Sequence, residues 1–219
     1  MHGGRTLTAR EVVRAYTRTA PVYDVWAGLT ETRARRRALE LAQIRDGEAV
    51  LEVAVGTGLA FAEILRRNPS GRNEGVDLTA AMLARARAKA EHGATKNWRL
   101  RVGDAHALDF PDASFDLVFN CYMFDLLPAE SFARVLGEFR RVLAPGGRLV
   151  LVNLAPGDGP VSRLWSGIFR LQPAWVGGCR AVRLEGPIRA AGFALAAAER
   201  VTQLGVPSEM ILARPAAPR

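Results

Sequence analysis

A chain of 219 residues, 49% hydrophobic and 24% charged, is long enough to bury a full core and requires no second domain. No apolar run reaches the roughly 18 residues of a membrane span, and the start, MHGGRTLTARE, lacks the apolar segment of a secretory signal, which predicts a cytoplasmic location. The formal net charge of +8 raises nucleic acid or an anionic membrane surface as partners, but almost every cation is arginine and the densest run, TRARRRALE at 32–40, reads as a solvated helix face, so no nucleic-acid partner is expected.

In chain order, Thr8 to Glu11 forms a capping-box pattern that opens a helix, and Pro21 is expected to break it into a loop. A helix at about 31–44 follows. Strand 49–54, helix 59–67, strand 73–77 and helix 80–91 then alternate, and WRLRVGD (98–104) and SFDLVFNCY (114–122) read as the third and fourth strands. AESFARVLGEFRRVL (129–143) is a helix closed by Pro145-Gly146-Gly147, and GRLVLVNL (147–154) is a fifth strand. The rhythm changes in the Gly- and Pro-rich stretch 156–180, which reads as an insertion around one amphipathic helix, with Val161, Leu164, Trp165, Ile168 and Phe169 on one face. A short helix near 182–193 precedes two final strands, 195–205 and 208–215, joined too closely to be anything but an antiparallel hairpin. The expected fold is therefore α/β: a Rossmann-like, doubly wound, seven-stranded sheet, mostly parallel, with helices on both faces. Its parts are a helical lid (1–45), a core (46–155), an insertion over the site (156–180) and a C-terminal helix and hairpin (181–215). Cys121 and Cys179 are too few for a metal cluster or a disulfide framework and are expected as buried thiols; no metal site is predicted.

In an open sheet of this kind the ligand crevice lies at the carboxyl ends of the strands, where the strand order reverses. The first strand delivers Glu52 and then the loop Ala54, Gly56, Thr57, Gly58; the second delivers Asp77, at the spacing where an acid grips ribose hydroxyls. Two acids and a loop of small residues imply an adenosine-like ligand. The loop matches a dinucleotide fingerprint at one glycine only, and no Gly-Lys-Ser/Thr phosphate loop is present. Glu52 beneath the turn repels phosphate and attracts a cation, so a ligand carrying an ammonium group is favoured over a pyrophosphate. Ala54 stands where such a loop usually has its first glycine, and is expected to keep a negative φ.

VLEVAVGTG (50–58), GVDLTAAMLARARAKA (75–90), GDAHALDFPDASFDLVF (103–119) and EFRRVLAPGGRLVLV (138–152) together resemble the class I S-adenosylmethionine-dependent methyltransferases. That resemblance implies S-adenosylmethionine as cofactor and a set of contacts. Glu52 would reach the methionine ammonium through water or neighbours, and Gly56 and Gly58, flanking Thr57, would admit the methionine part. Asp77 would hold the ribose, Leu78 and Met82 would flank the adenine, and Asp104 with Ala105 would read its edge. Asn120 would sit where the fourth strand meets the methyl group. YTRTAPVYDVW (16–26) is similar to the N-terminal lid of quinone C-methyltransferases and bacterial phospholipid N-methyltransferases, which implies a small-molecule or lipid acceptor and leaves peripheral contact with an anionic membrane open. Trp26, Trp165, Phe169 and Trp175 are expected to form an apolar acceptor pocket or a membrane-facing surface. Transfer from a sulfonium rests on positioning, with a base required only where the acceptor must lose a proton. Tyr23, His106 and Asp125 are the candidates for orienting or deprotonating it. The acceptor atom and the oligomeric state are not fixed by the sequence.

Overall fold

The computed structural model describes residues 8–93, 95–157, 159, 167 and 179–216. Thr8 caps α1 (Ala9–Thr30): its hydroxyl accepts from the Glu11 N–H at 3.3 Å while its own N–H donates to the Glu11 carboxylate at 2.8 Å. The break expected at Pro21 does not occur. The helix runs on to Thr30 because its second half is docked, with Asp24 paired to Lys89 and the Gln203 carboxamide donating to the Leu29 carbonyl at 2.6 Å, contacts that offset the backbone bond a proline forfeits.

Then follow α2 (Thr32–Leu41), β1 (Ala49–Val53), α3 (Leu59–Arg67), β2 (Arg72–Asp77), α4 (Ala80–Glu91), β3 (Trp98–Val102) and β4 (Phe115–Cys121). A 3-10 turn at Ala129–Ser131 leads into α5 (Phe132–Val142), so the helix expected over 129–143 has a tighter first turn. β5 (Leu143–Leu154) starts earlier than the glycine pair suggests: Leu143 already pairs with Phe115, and the register shifts before Leu117 meets Arg148. α6 (Glu185–Ala190), β6 (Phe193–Gln203) and β7 (Val206–Pro215) complete the order. The helix expected within 156–180 lies outside the described residues.

The sheet runs β3-β2-β1-β4-β5-β7-β6, parallel from β3 to β5, with β7 antiparallel to both neighbours. The order reverses between β1 and β4. On one face Leu51, Val53, Val118 and Ile211 pack with Phe132, Leu136 and Phe139 of α5 and Ile188 of α6. On the other, Val50, Leu117, Phe119, Val150 and Met210 pack with Ala34, Ala38 and Leu39 of α2 and Ile64 of α3, while Phe61 and Leu65 of α3 meet Leu83 and Ala86 of α4. Each fully buried Leu, Ile or Phe here stabilises by roughly 1.5–3 kcal/mol, and this two-faced packing fixes the strand ends on which the site is built. Among the described residues no helix is long and apolar enough to cross a membrane.

Candidate active site

A cavity of about 300 Å³ opens at the carboxyl ends of β1 to β4, where the strand order reverses. β1 and its loop contribute Val53, Ala54 and Gly56; the β2 end contributes Asp77, Leu78, Thr79 and Met82; the β3 end contributes Gly103, Asp104, Ala105 and His106. The β4 end supplies Cys121, Tyr122, Met123, Leu126, Leu127, Pro128 and Ser131, and α1 adds Thr8 and Tyr16.

Asp77 is the anchor of this geometry. Its carboxylate, 8% exposed, accepts from the Gly56 N–H and the Thr79 N–H, both at 2.8 Å, so β2 holds the β1 loop and the start of α4 through one side chain. Burial raises its pKa, and those two backbone bonds oppose the rise. Ala54 turns the chain off β1 at φ 58°, which corrects the expected negative φ. The reversal is fixed by the next two amides, Val55 N–H on the Val76 carbonyl and Gly56 N–H on Asp77, and it is this left-handed residue that a first glycine ordinarily serves. Gly56 (φ 57°) has nothing within 4 Å of where a Cβ would stand, and it faces the cavity.

Gly58 and Thr57 are placed otherwise than expected. A Cβ on Gly58 would meet the Cα of Ala86 at 2.7 Å, so that glycine lets α4 pack against the loop, and it does not line the cavity. Thr57, 1% exposed, turns away and donates to Asp24 of α1. Glu52 is buried beneath the turn, with Oε2 lacking a hydrogen-bond partner; burial chiefly drives its pKa well above the carboxylate range, Asp77 adds to the rise and Arg35 opposes it. Asn120 is fully buried, donates to the Val53 carbonyl at 2.8 Å and so stitches β4 to β1, while its neighbours Cys121 and Tyr122 reach the cavity.

Asp104 accepts from the His106 N–H at 2.9 Å and lies 2.6 Å from the His106 Nδ1, closing a short turn on the rim. Partial burial raises its pKa, but the contacts from His106 outweigh that and hold it low. Ala105, Leu78 and Met82 line the cavity, Met82 almost fully buried and Leu78 36% exposed. Of the catalytic candidates, His106 lines the wall. Asp125 does not: it is fully buried, accepts from the Leu154 N–H at 3.0 Å and ties the loop after β4 to the end of β5. The side chains of Tyr23 and Trp26, and all of Trp165, Phe169 and Trp175, lie outside the described residues.

In the segment after β4 the sequence singles out Asp125, which does not line the cavity, and misses Tyr122, Met123, Leu126, Leu127, Pro128 and Ser131, which do and to which only the rule of the reversing strand order points. Tyr122 takes φ 54°, uncommon for a bulky residue, with its N–H on the Val152 carbonyl at 2.7 Å and its hydroxyl 2.8 Å from the Ser208 hydroxyl. Burial pushes the Tyr122 phenol and the Cys121 thiol well above their ordinary pKa values, so both stay neutral at neutral pH.

Residues 50–147 match the family described as a methyltransferase domain. The demethylmenaquinone methyltransferase of Thermus thermophilus is 38% identical over 145 residues, which are 64% of this chain and 64% of that protein. The phosphatidylethanolamine N-methyltransferase of Cereibacter sphaeroides is 37% identical over 163 residues, covering 74% of this chain and 77% of that protein. Among solved structures, the cyclase SpnF superposes with a TM-score of 0.77 over 99% of this chain and 100% of its own at 20% identity, a likeness of fold alone. With a doubly wound sheet, a glycine loop tied to an acid at the end of β2 and relatives of this identity and coverage, the chain belongs to the class I S-adenosylmethionine-dependent methyltransferases.

Proposed function

We propose that the protein moves the methyl group of S-adenosylmethionine onto a small, apolar or aromatic acceptor held on the β4 side of the cavity. The observation that carries this reading is the division of the lining: carboxylates at the β2 and β3 ends, and at the β4 end Cys121, Tyr122, Met123, Leu126 and Leu127 faced by Tyr16 of α1. A wall of neutral thiol, phenol and aliphatic groups favours an apolar ring or chain over a charged molecule.

The residues at the other end fit the cofactor. Gly56 leaves its Cβ side open for close approach. Asp77, with one N–H on each oxygen, keeps further lone pairs for the two ribose hydroxyls. Leu78 and Met82 flank the adenine, Asp104 and Ala105 read its edge, and Glu52, whose buried carboxyl holds its proton, lies beneath the loop where the ammonium of the bound cofactor would favour its charged form. When bound, S-adenosylmethionine supplies an electrophilic methyl on a sulfonium, a displacement that depends on alignment more than on acid–base help. His106, its Nδ1 held by Asp104, presents Nε2 to take a proton from a hydroxyl acceptor.

A second reading, N-methylation of a phospholipid amine, is favoured by the longer alignment with the Cereibacter protein. Methyl-labelled S-adenosylmethionine offered with separate quinol, phenolic and phospholipid fractions tests both. Label in a quinol or phenol is the expected result; label confined to an amine phospholipid replaces it with the second reading.

A further inference from the structure

Helix α1, the loop after β1 and helix α4 meet at one side chain. The two oxygens of the Asp24 carboxylate have different partners: one accepts from the Thr57 hydroxyl, the other from the Lys89 ammonium at 2.7 Å. The same ammonium donates to the Thr57 carbonyl at 3.0 Å. Thr57 is therefore held at both its side chain and its backbone. It stands between Gly56, whose N–H goes to Asp77, and Gly58, whose N–H goes to the Val55 carbonyl, so fixing Thr57 fixes the peptide planes on either side.

This hold has work to do because the loop is locally permissive. Gly56 and Gly58 lie at positive φ, a region glycine enters and leaves freely, and Ala54 lies there against its own preference, so the loop's own residues do not hold this arrangement. Thr57 is 1% exposed, and the Asp24 and Lys89 side chains are about one-third exposed, at 33% and 29%. Partial burial raises the Asp24 pKa, but hydrogen bonds from Lys89 and Thr57, with the nearby cations Lys89 and Arg85, keep it low and the carboxylate charged. Upstream on the same helix, Tyr16 lines the acceptor side of the cavity.

We infer that Asp24 is a positioning residue: through Thr57 and Lys89 it sets the glycine loop in its cofactor-binding conformation and makes that conformation depend on the docking of α1. The helix that walls the acceptor and the loop that admits the cofactor then behave as one unit. The inference rests on the cofactor reading above only for its binding readout, and the loop itself supplies a second.

The test uses the full-length protein and four variants: Asp24→Ala, Thr57→Val, Lys89→Met and Lys89→Arg. Without any ligand, amide hydrogen exchange at Gly56 to Leu59 is expected to speed up by about tenfold in the first three and to stay near wild type in Lys89→Arg, which keeps the charge. Calorimetry with S-adenosylhomocysteine is expected to show affinity falling by about tenfold in the same three variants, with the Asp24→Ala and Thr57→Val losses non-additive when combined. Thr57→Val preserves shape, so it decides the matter even where Asp24→Ala folds poorly. A fall in melting temperature with unchanged exchange at residues 56–59 and unchanged affinity would overturn the inference, leaving Asp24 as a mere tether of α1. Failure of the wild-type protein to bind S-adenosylhomocysteine would overturn the cofactor reading instead, and the exchange data would still decide the role of Asp24.

Discussion

Ala54 carries a methyl group into a backbone region that costs an L-residue roughly 1–2 kcal/mol. Ala54→Gly is expected to raise stability by about 1 kcal/mol in denaturant unfolding while leaving cofactor affinity within about threefold, since the loop keeps its shape. Asp77→Ala is expected to weaken S-adenosylmethionine binding by roughly 1.5–3 kcal/mol in calorimetry, because charge-assisted bonds to the ribose are lost. Glu52 sets a pH dependence. Its folded-state pKa is raised, chiefly by burial, so the stability it contributes is full below the unfolded value of about 4.3 and is lost as pH rises through the folded one. Across that window wild type is expected to lose up to about 1.4 kcal/mol per pH unit relative to Glu52→Gln, measured as the difference between their unfolding curves. At this scale Asp77 was legible, because an acid ending a strand after a small-residue loop is a local pattern. The φ of Ala54 was not, because it is imposed by Val76 and Asp77 on the neighbouring strand.

Elements were read well where both ends carry local signals. α3 and α4 span the expected residues, each beginning directly after its N-cap, Gly58 for α3 and Thr79 for α4. Pro21 misled because long-range docking of α1 outweighs its local cost, and Pro145-Gly146-Gly147 misled because β5 begins before them on the pairing of Leu143 with Phe115. The two later loop glycines differ in surroundings, Gly58 packed against α4 and Gly56 open to the cavity, a division the sequence pattern does not reveal. Gly58→Ala is expected to cost about 1 kcal/mol of backbone strain and a further 1–3 kcal/mol of overpacking against Ala86, read by denaturant unfolding. Gly56→Ala is expected to cost only the strain, about 1 kcal/mol, but to lose more cofactor affinity, because its new methyl projects into the open cavity.

At the scale of the molecule, the net charge of +8 bears on where the acceptor is met. A protein that takes a small acceptor from solution is expected to show negligible pelleting with anionic vesicles, even at low salt. The phospholipid reading requires the opposite, attachment worth about 1 kcal/mol per well-placed cation and weakened by added salt. Strong, salt-sensitive pelleting, lost on joint replacement of Trp165, Phe169 and Arg170, would favour that reading.

The sheet order has a further consequence, for how the chain is made. β7 comes after β6 in the sequence yet lies between β5 and β6 in the sheet, and its Met210, Ile211 and Ala213 are fully buried. During synthesis β6 emerges first but cannot join the sheet until residues 206–215 have left the ribosome, so β5 waits with an unpaired, apolar edge of Leu149 to Leu154. A chain cut short before Val206 would keep that edge open, and its hazard would be intermolecular strand pairing rather than the loss of a peripheral hairpin.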